Sequence, residues 1–413
     1  MSTELTGVLV LAVIFVLASV TGLNMGVLAL AATFLLGVVW LGHPAKEVLA
    51  GFPAEMFVVL VAVTFLFGIA RTNGTVDWLV HSAVRAAGHR VAVVPWLLFL
   101  LATLLCATGA ASPAAVAIVA PIGITFAVRN GMSPLYAGLM AVNGAAAGSF
   151  APTGILGGIV HSSLAANHLH VDGAALFGGT FAINLAAALV TWLVFGRRRG
   201  TAPTRAEEAE STAAPDPVLG VEQVATLVAM VLLVLGTTVL SLDTGLFALT
   251  LAAALAVVFR TTAQRAAKEI AWPVVLLVCG IVTYIALLQK LGVVDSLGET
   301  IAAVGVPLLA ALLICYVGGV VSAFASTTGI LGALMPLAAP FLASGSIATT
   351  GLVIALASAS TIVDASPFST NGALVVANAP EPMRTQTYRS LLRWGAGVCV
   401  IAPGAAWLAF VVI

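Results

Sequence analysis

Charge is scarce in this chain. Only 8% of its 413 residues are Asp, Glu, Lys or Arg, against roughly a quarter in an ordinary soluble domain, and 61% are hydrophobic. That composition excludes a water-soluble globule. Sixteen basic residues balance 16 acidic ones, so no basic face is available for nucleic acid. Met1-Ser2-Thr3-Glu4 has no basic n-region, and the apolar run behind it outlasts a signal h-region; this first segment is expected to stay as a membrane helix. The four cysteines, Cys106, Cys279, Cys315 and Cys399, sit inside apolar segments at no metal-like spacing and read as packing residues. The six histidines fall in loops or near span ends, and His161, His168 and His170 have no carboxylate or cysteine at ligand spacing, as expected of a solvated loop.

Apolar runs are abundant instead. A membrane-spanning helix needs about 20 apolar residues, and runs of that length recur along nearly the whole chain, which predicts a polytopic all-α membrane protein. The two halves also match each other at an offset of about 215 to 219 residues. Gly22-Leu23-Asn24-Met25-Gly26 pairs with Ser241-Leu242-Asp243-Thr244-Gly245, Glu47 and Phe52-Pro53 with Glu269 and Trp272-Pro273, and Gly74-Thr75-Val76-Asp77 with Gly292-Val293-Val294-Asp295. Ser149-Phe150-Ala151-Pro152-Thr153-Gly154 pairs with Pro367-Phe368-Ser369-Thr370-Asn371-Gly372. The constant order argues for an internal repeat.

Spans are predicted near 6–22, 24–41, 54–71, 134–164 and 174–196 in the first repeat, and near 221–241, 243–260, 272–290, 349–379 and 390–412 in the second. The apolar blocks 92–128 and 306–343 break at Ala107 to Pro113 and Ala325 to Gly329 into short arms, which reads as a re-entrant hairpin in each repeat. Five spans per repeat invert one half relative to the other. With both termini outside and the linker 197–220 in the cytoplasm, every basic residue except Lys46 and Lys290 faces the cytoplasm, in accord with the positive-inside rule. Residues 75–90 carry Val76, Leu79, Val80, Ala83 and Ala87 opposite Asp77, His81, Arg85 and His89, the pattern of an interfacial amphipathic helix. Val294, Leu297 and Ile301 opposite Asp295 and Glu299 repeat it. A wet connector and a mechanical arm are both consistent with these segments.

Inverted repeats with broken helices are the sequence signature of a secondary transporter whose site forms where the breaks meet. Four breaks are present: the hairpin tips at Ser112 and Thr327, and the interruptions at Gly148 to Gly154 and Ser366 to Gly372. A helix N-terminus carries roughly half a positive charge, so four converging ends supply about two, enough to match a dianion. No Lys, Arg or His falls in the middle of a predicted span. Candidate substrate contacts are therefore the hydroxyls and amides of Ser112, Asn143, Thr153, Ser326, Thr327, Thr328, Ser369, Thr370 and Asn371. Opposed helix C-termini and free carbonyls suit a small hard cation, which gives a physical case for cation-coupled symport. Sodium candidates are Ser112, Asn143, Ser149, Gly154, Thr327, Thr361, Asp364 and Asn371. Ser and Thr in membrane helices also bond their own backbone or a neighbouring helix, and that alternative stays open for each hydroxyl. Asp364 is the only acid deep in a predicted span; it reads as a cation ligand, a proton carrier or a structural cap. An intramembrane enzyme needs convergent acids, bases or metal ligands at membrane depth, and apart from Asp364 the spans offer none.

At these positions the chain resembles the ion-transporter superfamily, and within it the dicarboxylate carriers of the malonate-carrier (MatC) type. The resemblance rests on two inverted five-span repeats, each with a re-entrant hairpin followed by a broken helix: Ser112-Pro113-Ala114 with Ala151-Pro152-Thr153-Gly154, and Ser326-Thr327-Thr328 with Ser369-Thr370-Asn371-Gly372. It implies a homodimer in the plasma membrane, with a scaffold part at the interface (1–91 and 221–304). A transport part (92–196 and 305–413) would move as an elevator. It also implies sodium-coupled uptake of a small dicarboxylate, malonate being the best single candidate. A proton-driven or exchange carrier of another small anion is the alternative on the same fold.

Overall fold

The computed structural model describes residues 3–86, 92–165, 169–196, 219–240, 242–293, 307–323, 327–343 and 348–412. Every regular element among them is helical. The first half contains α1 (Thr3–Thr21), α2 (Met25–Thr33, continued as a π-helix over Phe34–Trp40), α3 (Ala45–Leu49), α4 (Ala54–Thr72), α5 (Thr75–Ala86), α6 (Val94–Ala107), α7 (Ser112–Arg129), α8 (Pro134–Gly148), α9 (Ile155–Ala165) and α10 (Gly173–Thr191). The second half contains α11 (Val221–Thr238), α12 (Thr244–Val258), α13 (Arg260–Ala266, followed by a 3-10 turn to Glu269), α14 (Trp272–Lys290), α15 (Pro307–Ser322) and α16 (Thr327–Ala343). It ends with α17 (Thr349–Ile362, followed by a 3-10 turn Val363–Ala365), α18 (Thr370–Ala377) and α19 (Glu381–Trp407).

Among the described residues, six segments are long and apolar enough to cross a membrane: Ala54–Thr72, Ser112–Arg129, Gly173–Gly196, Trp272–Lys290, Thr349–Ala377 and Glu381–Val412. Several other apolar helices are shorter, including Met25–Trp40, Val94–Ala107 and Pro307–Ser322. These lengths and compositions are those of a multi-pass membrane protein. The 14 residues of α6 reach only about 21 Å, short of the roughly 30 Å hydrocarbon core.

Local chemistry explains where helices start and stop. Asn24 and Asp243 occupy equivalent positions and act alike: each is an N-cap, accepting from Gly26 N and Val27 N, and from Leu246 N, respectively. The corner between α6 and α7 needs a positive φ, and Gly109 supplies it at 102°. Pro113 then opens α7, where its missing N–H costs nothing. The last helix begins at Glu381 rather than near 390, because Pro382 in its first turn and the polar stretch through Arg393 prolong it beyond the apolar run. The linker 197–218 and the second amphipathic segment 294–301 lie outside the described residues, as does 87–90 of the first. Within α5, Val76 is buried and Asp77 exposed.

Packing is reciprocal between the halves. Helix α4 lies on α12, and α14 on α2. The α2–α14 contact is backbone against backbone: a Cβ on Gly280 would strike the Gly26 carbonyl, the close approach that small residues permit in membrane helices. Arg71, at the end of α4, pairs with Glu269 at 2.8 Å, while Lys290, at the end of α14, donates to the Glu47 carbonyl at 2.6 Å. Helices α7 and α16 each pack on their own half's broken helix and on the other half's: α7 meets α8 and α18, and α16 meets α17 and α9. Every residue of α8 is buried, which places the first broken helix at the centre of the molecule.

Candidate functional site

Both helix interruptions are built in the same way. At Gly154 an added Cβ would collide with the Ser149 carbonyl, and at Gly372 with the Ser366 carbonyl. Each glycine lets the chain fold back over the end of the preceding helix before the next one starts. Ser149 N bonds Ala145 O at 3.1 Å and Gly157 N bonds Ser149 O at 3.0 Å, so part of the interrupted ladder is closed across the break. In the second interruption Ser369 caps α18, its hydroxyl accepting from Gly372 N at 3.1 Å while donating to Ser366 O at 2.8 Å.

The four breaks meet at one cavity of about 780 Å³. The start of α7 contributes Ala111 to Ala114, the start of α16 Thr327 to Ile330, the start of α9 Ile155 and Leu156, and the start of α18 Phe368 and Thr370. Ser149, at the end of α8, and Asp364, in the turn after α17, add two helix C-terminal ends. Residues 22–25 between α1 and α2, and the segment from Glu269 to Leu277, complete the wall. Among the described residues lining the cavity none is basic, and Glu269 and Asp364 are the acidic ones. An anion held here would rest on N-terminal N–H groups and hydroxyls.

Asn371 is the junction of the two halves. Its Nδ2 donates to Ser112 Oγ at 2.7 Å and to Asp364 Oδ2 at 3.1 Å. The residue is 1% exposed, and its Oδ1 is buried without a hydrogen-bond partner among the described residues. Thr327 Oγ1 lies 2.9 Å from Ser322 Oγ, which donates to Ser360 O at 2.7 Å. These bonds anchor the start of α16 to α17 beside the cavity.

Of the sequence candidates, Ser112, Ser149, Thr327, Thr328, Asp364 and Thr370 line the cavity, with Asn371 directly behind Ser112 and Asp364. Ser149 spends its hydroxyl on Ala145 O at 2.7 Å. Five others are buried but outside the lining. Thr153 donates to the Ala107 carbonyl, fastening the first interruption to the tip of α6. Thr361 bonds Ala357 O at 3.0 Å, Ser369 is the cap described above, and Gly154 provides the close turn. Asn143 lies deeper in the bundle, where its Nδ2 faces Thr191 Oγ1 at 3.3 Å and links α8 to α10. Ser326 lies outside the described residues. The described residues contain no group of three or more His, Cys, Asp or Glu that could hold a metal ion, so a cation here would depend on hydroxyls, amides, carbonyls and Asp364.

Two lining residues with polar or charged side chains were absent from the candidates. Asn24 borders the cavity and donates to Pro273 O at 2.8 Å, and Glu269 borders it while paired with Arg71. The signal for both was the repeat itself, which couples Asn24 to Asp243 and Glu47 to Glu269; what it lacked was any sign that the α13–α14 corner forms a wall of the site.

Comparison with known proteins agrees with this architecture. The crystal structure of the Alcanivorax borkumensis YdaH transporter, described as having an unusual topology, superposes with a TM-score of 0.58 at 17% sequence identity, over 87% of this chain and 86% of that one. That likeness is one of fold. No curated protein matches the chain in sequence. Residues 1–149 match the family model of the dicarboxylate carrier protein MatC N-terminus.

Proposed function

We propose that the protein is a secondary active transporter that imports a small dicarboxylate in symport with sodium. Malonate is the leading candidate cargo. The observation that carries this reading is the convergence of four helix N-termini on one cavity whose described lining has no basic side chain. Their summed partial charge of about two units suits a dianion. The family match over residues 1–149 favours a dicarboxylate over other anions of equal charge. Ser112, Thr327, Thr328 and Thr370 would contact the cargo, with Asn371 positioning Ser112. Sodium would bind where Ser149, Asp364 and the helix C-termini offer oxygen atoms, offsetting the charge of the cargo.

The reading includes two inverted repeats. A scaffold part (1–91 and 221–304) would hold a moving transport part (92–196 and 305–413) in an elevator-type homodimer, in the plasma membrane with both termini outside. The repeat in the sequence, the reciprocal packing of hairpins and broken helices, and the side preference of the basic residues support it. Asp364 in the cavity wall favours a second reading, in which protons replace sodium on the same fold. Counterflow in proteoliposomes across a panel of C3 and C4 dicarboxylates and matched monocarboxylates tests the proposal. Exchange of dicarboxylates alone is expected; exchange of monocarboxylates alone, or of neither class, would overturn it.

A further inference from the structure

Beside the main cavity lies a small recess of about 30 Å³, and the two share Ala111, Ala114, Glu269 and Ala271 as common walls. Arg71 lines the recess and is the one basic side chain among the described residues lining either space. Its Nη1 holds Glu269 Oε2 at 2.8 Å, with the two side chains 49% and 41% exposed. An ion pair so open to water adds little to stability. A bracing role therefore explains the pair poorly, and a partner can be exchanged at little cost. The guanidinium has five N–H donors in a fork that suits a carboxylate, and the group it now holds is chemically the same as either end of a dicarboxylate.

We propose that Glu269 is a built-in stand-in for a cargo carboxylate and that Arg71 is an anion-binding residue at the edge of the cavity. An arriving carboxylate displaces Glu269, whose side chain swings into water, and takes its place on Arg71. The shared walls Ala111 and Ala114 belong to the tip and first turn of α7, so a dianion held by one end on Arg71 presents its other end to that helix N-terminus. This inference rests on the dicarboxylate reading and deepens it. It assigns a cationic subsite that selects for the second carboxylate.

The test is initial-rate uptake of radiolabelled malonate into proteoliposomes by wild type, Arg71→Gln, Glu269→Gln and the double variant. Arg71→Gln is expected to raise the malonate KM about tenfold with kcat nearly unchanged, in the range for removing one charge-assisted contact. Glu269→Gln is expected to lower the KM severalfold, and to have no effect once Arg71 is gone. A structural brace predicts the opposite sign for Glu269→Gln, with both single variants weakened alike; that result overturns the inference. If Arg71→Gln does not fold, the sign of the Glu269→Gln shift still decides. Malonate uptake indifferent to both substitutions overturns this inference alone. A wild type that takes up no C3 or C4 dicarboxylate overturns the reading beneath it as well.

Discussion

The side chains of Ser112 and Asn371 meet at 2.7 Å although 259 residues separate them. Ser112 opens α7, and Asn371 lies in the first turn of α18, the helix that resumes after the second interruption. The bond joins a break in each half at the cavity wall, and through Asn371 it reaches Asp364. Structural integrity of the site and transport should therefore fail together when this link is cut, while the rest of the fold persists.

Asn371→Ala removes both bonds and leaves Asp364 and Ser112 without their shared donor. A buried polar group left without its hydrogen-bond partner costs about 1–3 kcal/mol, so malonate uptake should drop by about tenfold. Size-exclusion chromatography should still show folded protein. Ser112→Ala is expected to give a smaller loss of the same kind, read as a higher KM.

Asp364→Asn separates the two coupling modes. A sodium ligand at this position predicts that half-saturating sodium rises about tenfold or more, the equivalent of roughly 1.4 kcal/mol of lost cation binding. Wild-type uptake that is indifferent to sodium, with a pH dependence that the variant loses, would favour the proton-driven reading. The measurement is initial rate against sodium concentration at two fixed pH values.

Gly154→Ala and Gly372→Ala each push a methyl group into the carbonyl of the preceding helix end. Backbone cannot retreat as a flexible side chain can, and overpacking of this kind costs about 1–3 kcal/mol. Both variants should unfold at lower temperature in detergent and transport poorly. Gly178→Ala, where nothing lies within 4 Å of the added atom, should behave like wild type in the same thermal assay.

Asn143→Ala should act on stability rather than on cargo binding. Its partner Thr191 keeps a bond to Ala187 O at 2.8 Å, so no orphaned donor is created. The loss should be about 0.6–1 kcal/mol, as for other polar links between membrane helices. Thermal unfolding should register it with the malonate KM unchanged.

Much of this architecture was legible in the sequence because membranes enforce simple rules. Runs of apolar length mark helices, and Gly, Pro, Ser and Thr inside such runs mark breaks, as at Gly148 to Gly154 and Ser366 to Gly372. What stayed hidden depends on which way a side chain turns. Asn143 and Asn371 read alike as buried amides, yet one faces α10 and the other stands behind the cavity wall. Thr153 and Asn371 occupy equivalent places in the two halves, but Thr153 bonds a backbone carbonyl of its own half, whereas Asn371 crosses to the other. Glu269 borders the cavity at the α13–α14 corner, where α4 packs and brings Arg71 alongside from 198 positions away. Propensity marked the last helix by its apolar part and missed the polar turns from Glu381 that extend it.

The central claim is that this cavity carries a dicarboxylate dianion with sodium. Its most direct test is malonate accumulation in proteoliposomes under an inward sodium gradient, compared with an equal potassium gradient at constant pH. Accumulation above the external concentration with sodium alone is the predicted result. Equal, non-accumulating entry of malonate under both gradients, or accumulation that follows an imposed proton gradient without sodium, would contradict the account.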